Sequence, residues 1–304
     1  MKKLLALLMA AGMMLSVAAC GSDAASSAAS AAKSEVPAET AAVEETTAAP
    51  AENNDASSAE TATGEGRTFT VGFDAEYPPY GYKDESGEYT GFDLELAKAV
   101  CEKMGWELKL EPIDWDAKDA LIGSGTINCI WNGFTMENRE DDYTFSEPYM
   151  YNEQVVVVKK DSGAKNLEDL AGKTVLTQVD SAALHVLEND NAEEGGQAAL
   201  AATFKELQTI GDYNNAFMQL ESGMVDAVAC DLSIASFQMA AKPDAYVKLG
   251  VLAPENYAVG FKKGDTELAK QVTDALKQLD EEGFVKELCA KYEDQGITYD
   301  NWVL

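Results

Sequence analysis

Gly91-Phe92-Asp93-Leu94-Glu95-Leu96-Ala97-Lys98-Ala99-Val100-Cys101-Glu102-Lys103-Met104-Gly105 is the stretch from which the fold can be read. Leu94, Ala97, Cys101 and Met104 fall on one face of a helix, Asp93 can cap its start and Gly105 can end it. Upstream, Thr68 to Phe73 alternates apolar with polar or small residues, the pattern of a strand. That strand runs into Asp74-Ala75-Glu76-Tyr77-Pro78-Pro79-Tyr80, whose paired prolines speak against helix and against continued pairing, and Lys83 to Glu88 makes a turn. Downstream, the apolar run Ile127-Asn128-Cys129-Ile130-Trp131 leads to a polar turn, Asn132-Gly133-Phe134-Thr135-Met136-Glu137-Asn138-Arg139.

The remainder keeps the same alternation. Val155 to Val158 reads as a buried strand, Val175 to Gln178 as another, and Ser181 to Asn189 as a helix. Tyr213, Ala216, Phe217 and Leu220 mark a helix ended by Gly223; Met224 to Cys230 is strand-like and delivers Asp231. Tyr246–Leu252 and Tyr257–Phe261 read as two further strands. Leu268, Val272, Ala275, Leu276 and Leu279 form an amphipathic helix, and Gly283 separates it from a last one bearing Val285, Leu288 and Tyr292. Strands alternating with helices predict an α/β architecture. Gly172-Lys173-Thr174 is no phosphate-binding loop, because Leu167 stands where the first glycine is required.

The chain has 304 residues, enough for one large or two ordinary domains, and its 46% hydrophobic content allows a sizeable core. With 53 acidic against 23 basic side chains the formal charge is -30, which excludes a nucleic-acid partner, since phosphate binding needs clustered Lys and Arg. Cys101, Cys129, Cys230 and Cys289 show no paired spacing and read as small buried thiols; with His185 the lone histidine, no metal site and no cofactor is expected.

At the N-terminus, Lys2 and Lys3 precede an apolar stretch to Ala19 that is too short for a comfortable span and reads as a secretory signal. Val17-Ala18-Ala19-Cys20 resembles a bacterial lipobox, which implies that Cys20 is lipidated and anchors the protein to the membrane. Gly21 to Arg67 is almost wholly Ala, Ser, Thr and Glu and cannot offset its ordering entropy by burial. It is expected to be a disordered tether with a reach of roughly 35–40 Å.

Several motifs, in order, carry a resemblance. Tyr77-Pro78-Pro79-Tyr80, Gly91 to Leu96 with the following Ala-Val-Cys-x-x-Met, Trp115-Asp116, Leu121 to Asn128, Arg139 and Phe145-Ser146-Glu147-Pro148-Tyr149 resemble the bacterial extracellular solute-binding proteins of the polar amino-acid class (family 3), which serve ABC importers. The likeness spans roughly Thr68 to Tyr292, with two departures: Asn128 replaces the usual Asp, and the turn before Arg139 is one residue shorter. The resemblance implies a two-lobe Venus-flytrap fold with two crossings, lobe one being 68–153 plus 256–304 and lobe two 154–255. It further implies a monomer that captures a free amino acid on the extracellular or periplasmic side and delivers it to a permease, without catalysis. A secreted cyclohexadienyl dehydratase on the same scaffold is the alternative, with Glu76 the one nameable acid.

The resemblance also assigns a site. Arg139 and Thr135, with the backbone around Gly133, match the clamp for the ligand's α-carboxylate, a role suited to arginine's planar fork. Ser181 matches the second lobe's hydroxyl and N–H contribution, and Asp231 the carboxylate for the α-ammonium, although Asp231 can equally be a helix N-cap. Tyr77 and Trp115 match rings that flank the ligand's side chain. Asp74 and Glu76 could meet a cationic side chain or simply face solvent, while Asn132, Trp131 and Gln178 could equally bond an amide or hydroxyl.

Overall fold

The computed structural model describes residues 66–304; Cys20, the signal-like segment and all but the end of the expected tether lie outside them. In chain order the elements are β1 Thr68–Phe73, β2 Glu76–Tyr77, β3 Gly81–Lys83, β4 Tyr89–Thr90, α1 Phe92–Met104, β5 Glu107–Pro112, α2 Lys118–Ser124, β6 Cys129–Ile130, β7 Tyr143–Phe145 and β8 Met150–Lys159. Then come β9 Thr174–Gln178, α3 Ala182–Glu188, α4 Ala198–Ala201, β10 Glu206–Ile210, α5 Tyr213–Ser222, β11 Ala227–Asp231, α6 Leu232–Ala241, β12 Tyr246–Tyr257, β13 Gly260–Lys262, α7 Thr266–Glu281 and α8 Phe284–Lys291. Among the described residues no helix is long and apolar enough to cross a membrane.

Ten strands form two five-stranded sheets, one for each lobe, ordered β5-β1-β6-β13-β7 and β10-β9-β11-β8-β12, and the short β2, β3 and β4 form a third sheet in that order. In the first, β1 runs parallel to β5 and β6, while β13 returns antiparallel from the far end of the chain. In the second, β8 lies between β11 and β12, antiparallel to both. Val155 and Val157 enter one core cluster and Val156 and Val158 another, as the two-residue period of a strand buried on both faces requires. The long β8 and β12 pair from Tyr246↔Lys159 to Tyr257↔Met150, so both connections between the lobes run side by side in one ribbon. Cys101, Cys129, Cys230 and Cys289 are buried free thiols.

The structure departs from the sequence reading in four places. The chain does pair across the prolines, with Tyr77 opposite Gly81, because the bond partners lie on either side of the Pro-Pro step. Asp93 does not cap α1; Gly91 holds that position at φ 136°, where an added Cβ would fall 2.2 Å from the Tyr80 carbonyl. β11 starts at Ala227 rather than Met224, and Met224 is exposed. Tyr246 to Tyr257 is one strand, bulged near Gly250 and Leu252, so Tyr257 ends it instead of opening the next.

Candidate functional site

Asp93 explains why the turn after β6 has its shape. Its carboxylate is fully buried, with Oδ2 accepting the Gly133 N–H at 2.5 Å and both oxygens accepting from the Tyr149 hydroxyl at 2.7–2.8 Å. Burial pushes the Asp93 carboxyl up to about 7 even though these donors oppose the shift. Gly133 itself sits at φ 57°, and a Cβ there would approach the Tyr257 ring to 3.0 Å and Tyr77 to 3.2 Å. Glycine is therefore required twice over, by backbone conformation and by the two rings.

Past that turn, Asn138 at φ 64° reverses the chain and returns Arg139 to the cleft. Arg139 is 5% exposed, lies over the Phe134 ring at 4.9 Å, and donates from Nη1 to the Thr135 carbonyl at 3.1 Å. Its Nη2 crosses to the second lobe and donates to the Asp180 carbonyl, also at 3.1 Å. Burial pulls the Arg139 pKa down, opposed by Asp180, Glu255 and Asp231. Trp115 Nε1 donates to the same Asp180 carbonyl at 3.2 Å, so one backbone oxygen gathers two lobe-one side chains.

Asp231 follows β11 into the N-cap position of α6, yet its side chain makes no cap bond. Instead Oδ1 accepts from Gln154 Nε2 at 2.7 Å, Tyr257 Oη at 2.9 Å and Asn152 Nδ2 at 3.1 Å. The cap reading of Asp231 thus gives way to a buried carboxylate presented to the cleft. Ser181 does cap α3, its oxygen accepting the Leu184 N–H, and it also touches Thr177 Oγ1 at 3.1 Å.

Tyr77, Trp115, Asn132, Gly133, Thr135, Arg139, Gln178, Ser181 and Asp231 converge with Ala182 on one small space of about 20 Å³. That is roughly one water-sized sphere, so an amino acid enters only with the lobes further apart. Asn132 is 1% exposed, and neither end of its amide finds a partner. Asp74 stands one step away: its Oδ2 accepts from Gln178 Nε2 at 2.7 Å across the lobes, and burial raises its pKa to about 6. With Glu76, Asp114, Trp115, Asp116 and Asp212 it lines an adjoining cavity of about 530 Å³ at the cleft mouth. Glu76 is exposed and accepts from Asn214 at 2.7 Å.

Sequence reasoning missed Lys118 and Asp180. Lys118 is 2% exposed on lobe one and pairs with the Asp180 carboxylate on lobe two, which His185 also approaches at 3.2 Å. Burial pushes the Asp180 carboxyl up, but His185, Lys118 and Arg139 outweigh it and hold it well below the usual carboxylate range. Lys118 follows Trp115 by three residues, the one hint that both face the same cleft. Replacing Lys118 by Met leaves a partly buried carboxylate short of its cation in the closed form only. We expect K118M to raise the dissociation rate of a bound ligand about tenfold in stopped-flow fluorescence, with little change in association.

Comparison with known proteins identifies the family. The profile of the bacterial extracellular solute-binding proteins, family 3, matches residues 69–295. The L-cystine-binding protein TcyJ of Escherichia coli (strain K12) is 27% identical over 235 residues, covering 76% of this chain and 84% of that protein. The arginine-binding extracellular protein ArtP of Bacillus subtilis (strain 168) is 29% identical over 226 residues, covering 73% and 84% respectively. Among solved structures, an ABC uptake transporter substrate-binding protein from Streptococcus pneumoniae with bound histidine superposes with a TM-score of 0.71 at 34% identity, covering 76% of this chain and 94% of that one. A paired-sheet fold, a cleft lined from both sides and a match over most of the described residues lead to one conclusion: the chain belongs to the bacterial extracellular solute-binding proteins, family 3.

Proposed function

We propose that this protein captures one free α-amino acid with a polar, cationic side chain and hands it to the permease of an ABC importer. The observation that carries this is the opposition of a buried Arg139 on lobe one and a buried Asp231 on lobe two around one small polar space. A zwitterion gives each of those charges the partner it needs out of water. Both partners are reached together only when the lobes meet, so ligand affinity is greatest for the closed form and closure follows. Glu153 and Asn256, on the two paired connecting strands, are where we take the lobes to part.

The ligand's side chain runs past Trp115 toward Asp74 and the four further carboxylates of the outer cavity, which favours a positive end. A relative named for arginine and a neighbour holding histidine support this reading, and a relative named for cystine stands against it. Catalysis is not part of this reading: Glu76, the acid that a dehydratase would need, is an exposed rim residue tied to Asn214. Cys20 we take as the lipid anchor, with the tether giving the lobes reach to a membrane-bound permease. The protein works as a monomer.

The test is to denature purified protein, identify any released small molecule by mass spectrometry, and follow with a thermal-shift panel. Arginine, lysine, ornithine or histidine at 100 times its Kd should stabilise the protein by about 2.7 kcal/mol. A shift with glutamine or cystine and none with the cationic set would reject the cationic reading; no shift with any amino acid would reject capture altogether.

A further inference from the structure

Asp231 is not the only carboxylate behind the cleft. Glu255, on β12, is 4% exposed, as Asp231 is, and two carboxamides serve both acids. Asn152 Nδ2 lies 3.1 Å from Asp231 Oδ1 and 2.6 Å from Glu255 Oε1; Gln154 Nε2 lies 2.7 and 2.8 Å from the same two oxygens. The strand register dictates this arrangement, since β8 sets Gln154 opposite Asp231 on one side and Asn152 opposite Glu255 on the other. Two nitrogens that each reach both oxygens hold those oxygens close together.

Among the described residues the donors that bond the two acids are neutral: Asn152, Gln154 and the Tyr257 and Tyr77 hydroxyls. Arg139 feels both charges, but its Nη1 and Nη2 are directed to the Thr135 and Asp180 carbonyls. Two ionised carboxylates cannot share such a site without a cation between them, whereas one ionised and one protonated carboxyl can.

We propose that Asp231 and Glu255 form a dyad holding one proton between them, with Glu255 the neutral member that holds the Asp231 carboxylate aimed at the ligand's α-ammonium. Glu255 is then a positioning residue for the ammonium site, and the inference rests on the reading of Asp231 given above. Burial first, and the Asp231 charge second, push the Glu255 carboxyl well above the usual range, and the proton belongs to the pair. The groups that face Glu255 are Asp231 and Tyr257 from its own lobe and hinge, and Tyr80 and Arg139 from lobe one. On its other side it borders a cavity of about 270 Å³ shared with Glu137, His185 and Glu194, through which the proton can exchange with water.

Two measurements on the full-length protein test this. Near pH 8 the infrared spectrum of the wild type should carry the carbonyl band of a protonated carboxylic acid, and Glu255→Gln should remove it. In calorimetric titration with L-arginine as probe, Glu255→Gln should bind within about fivefold of wild type, because a carboxamide replaces the neutral acid, while Glu255→Leu should weaken binding at least about fiftyfold. A spectrum without the band, or one in which Glu255→Gln leaves it unchanged, overturns the shared proton. Equal, large losses of arginine binding in Glu255→Gln and Glu255→Leu overturn it as well, because they would mean that a second charge is needed. The infrared measurement requires no ligand, so a wild type that shows the band but ignores arginine speaks against arginine as the ligand, one that ignores every amino acid speaks against the proposed function, and neither speaks against the dyad.

Discussion

Arg139→Ala should weaken amino-acid binding by about 100-fold or more, read by calorimetric titration with the ligand identified from the denatured protein. Removing one partner of a buried, hydrogen-bonded charge pair costs about 2–5 kcal/mol, and each 1.4 kcal/mol is tenfold in Kd. The loss has two sources here. The ligand's carboxylate loses the planar fork that can hold both of its oxygens, and the lobes lose the Nη2 bond to the Asp180 carbonyl that forms on closure. Arg139→Lys should recover little, since a lysine supplies a point charge and cannot satisfy Thr135, Asp180 and a carboxylate together. Asp231→Asn should cost as much at the other end, where the ammonium would meet an amide in place of a charge. Full-strength binding in either variant sinks the clamp.

The parts of this site that can be read in the sequence are those where one residue type does one job. An arginine four residues after Thr135, an acid at the end of β11 and aromatic rings beside the prolines each announce their chemistry, and the structure brings them to one space. The strand period gave the β8 core because Val155 to Val158 follow it closely, whereas α1 is buried well beyond the face of Leu94, Ala97 and Cys101. What stayed hidden depends on contacts between residues far apart in sequence. Asp93 reads as a helix cap from the sequence alone, and only its bond to the Gly133 N–H, 40 residues on, makes it a support for the turn after β6. Lys118 looks like any surface lysine until Asp180 arrives from the other lobe. Glu255 shows itself only once β8 has set Asn152 and Gln154 between it and Asp231. Such networks rest on strand register, which no local pattern encodes.

The same buried acids should make the protein more stable in mild acid than in mild alkali. A carboxyl whose folded pKa lies above its unfolded value binds more protons folded than unfolded, so stability is fully present below the unfolded pKa and is lost as pH rises through the folded one. Asp93 is moved from 3.8 to about 7 and Asp74 from 3.8 to about 6, each chiefly by burial. Their joint contribution therefore declines between about pH 4 and pH 7, by roughly 4 kcal/mol for Asp93 and roughly 3 kcal/mol for Asp74. Glu255, also pushed up, adds to the decline, and the formal charge of -30 adds self-repulsion of the same sign. Asp180 works the other way: its depressed value stabilises the fold above the usual carboxylate pKa, and that gain is lost as pH falls below it. Stability should consequently peak near pH 4–5 and fall by at least about 10 °C in Tm by pH 8, at about 2–4 °C per kcal/mol for a domain of this size. Asp93→Asn removes one titrating group while keeping an acceptor for the Gly133 N–H, so it should flatten the slope by about half in thermal melts from pH 5 to 8, whatever it does to Tm at a single pH. A Tm that climbs over that interval, or an Asp93→Asn curve parallel to wild type, would show that Asp93 is already ionised at pH 5 and that its bonds from the Gly133 N–H and the Tyr149 hydroxyl outweigh its burial.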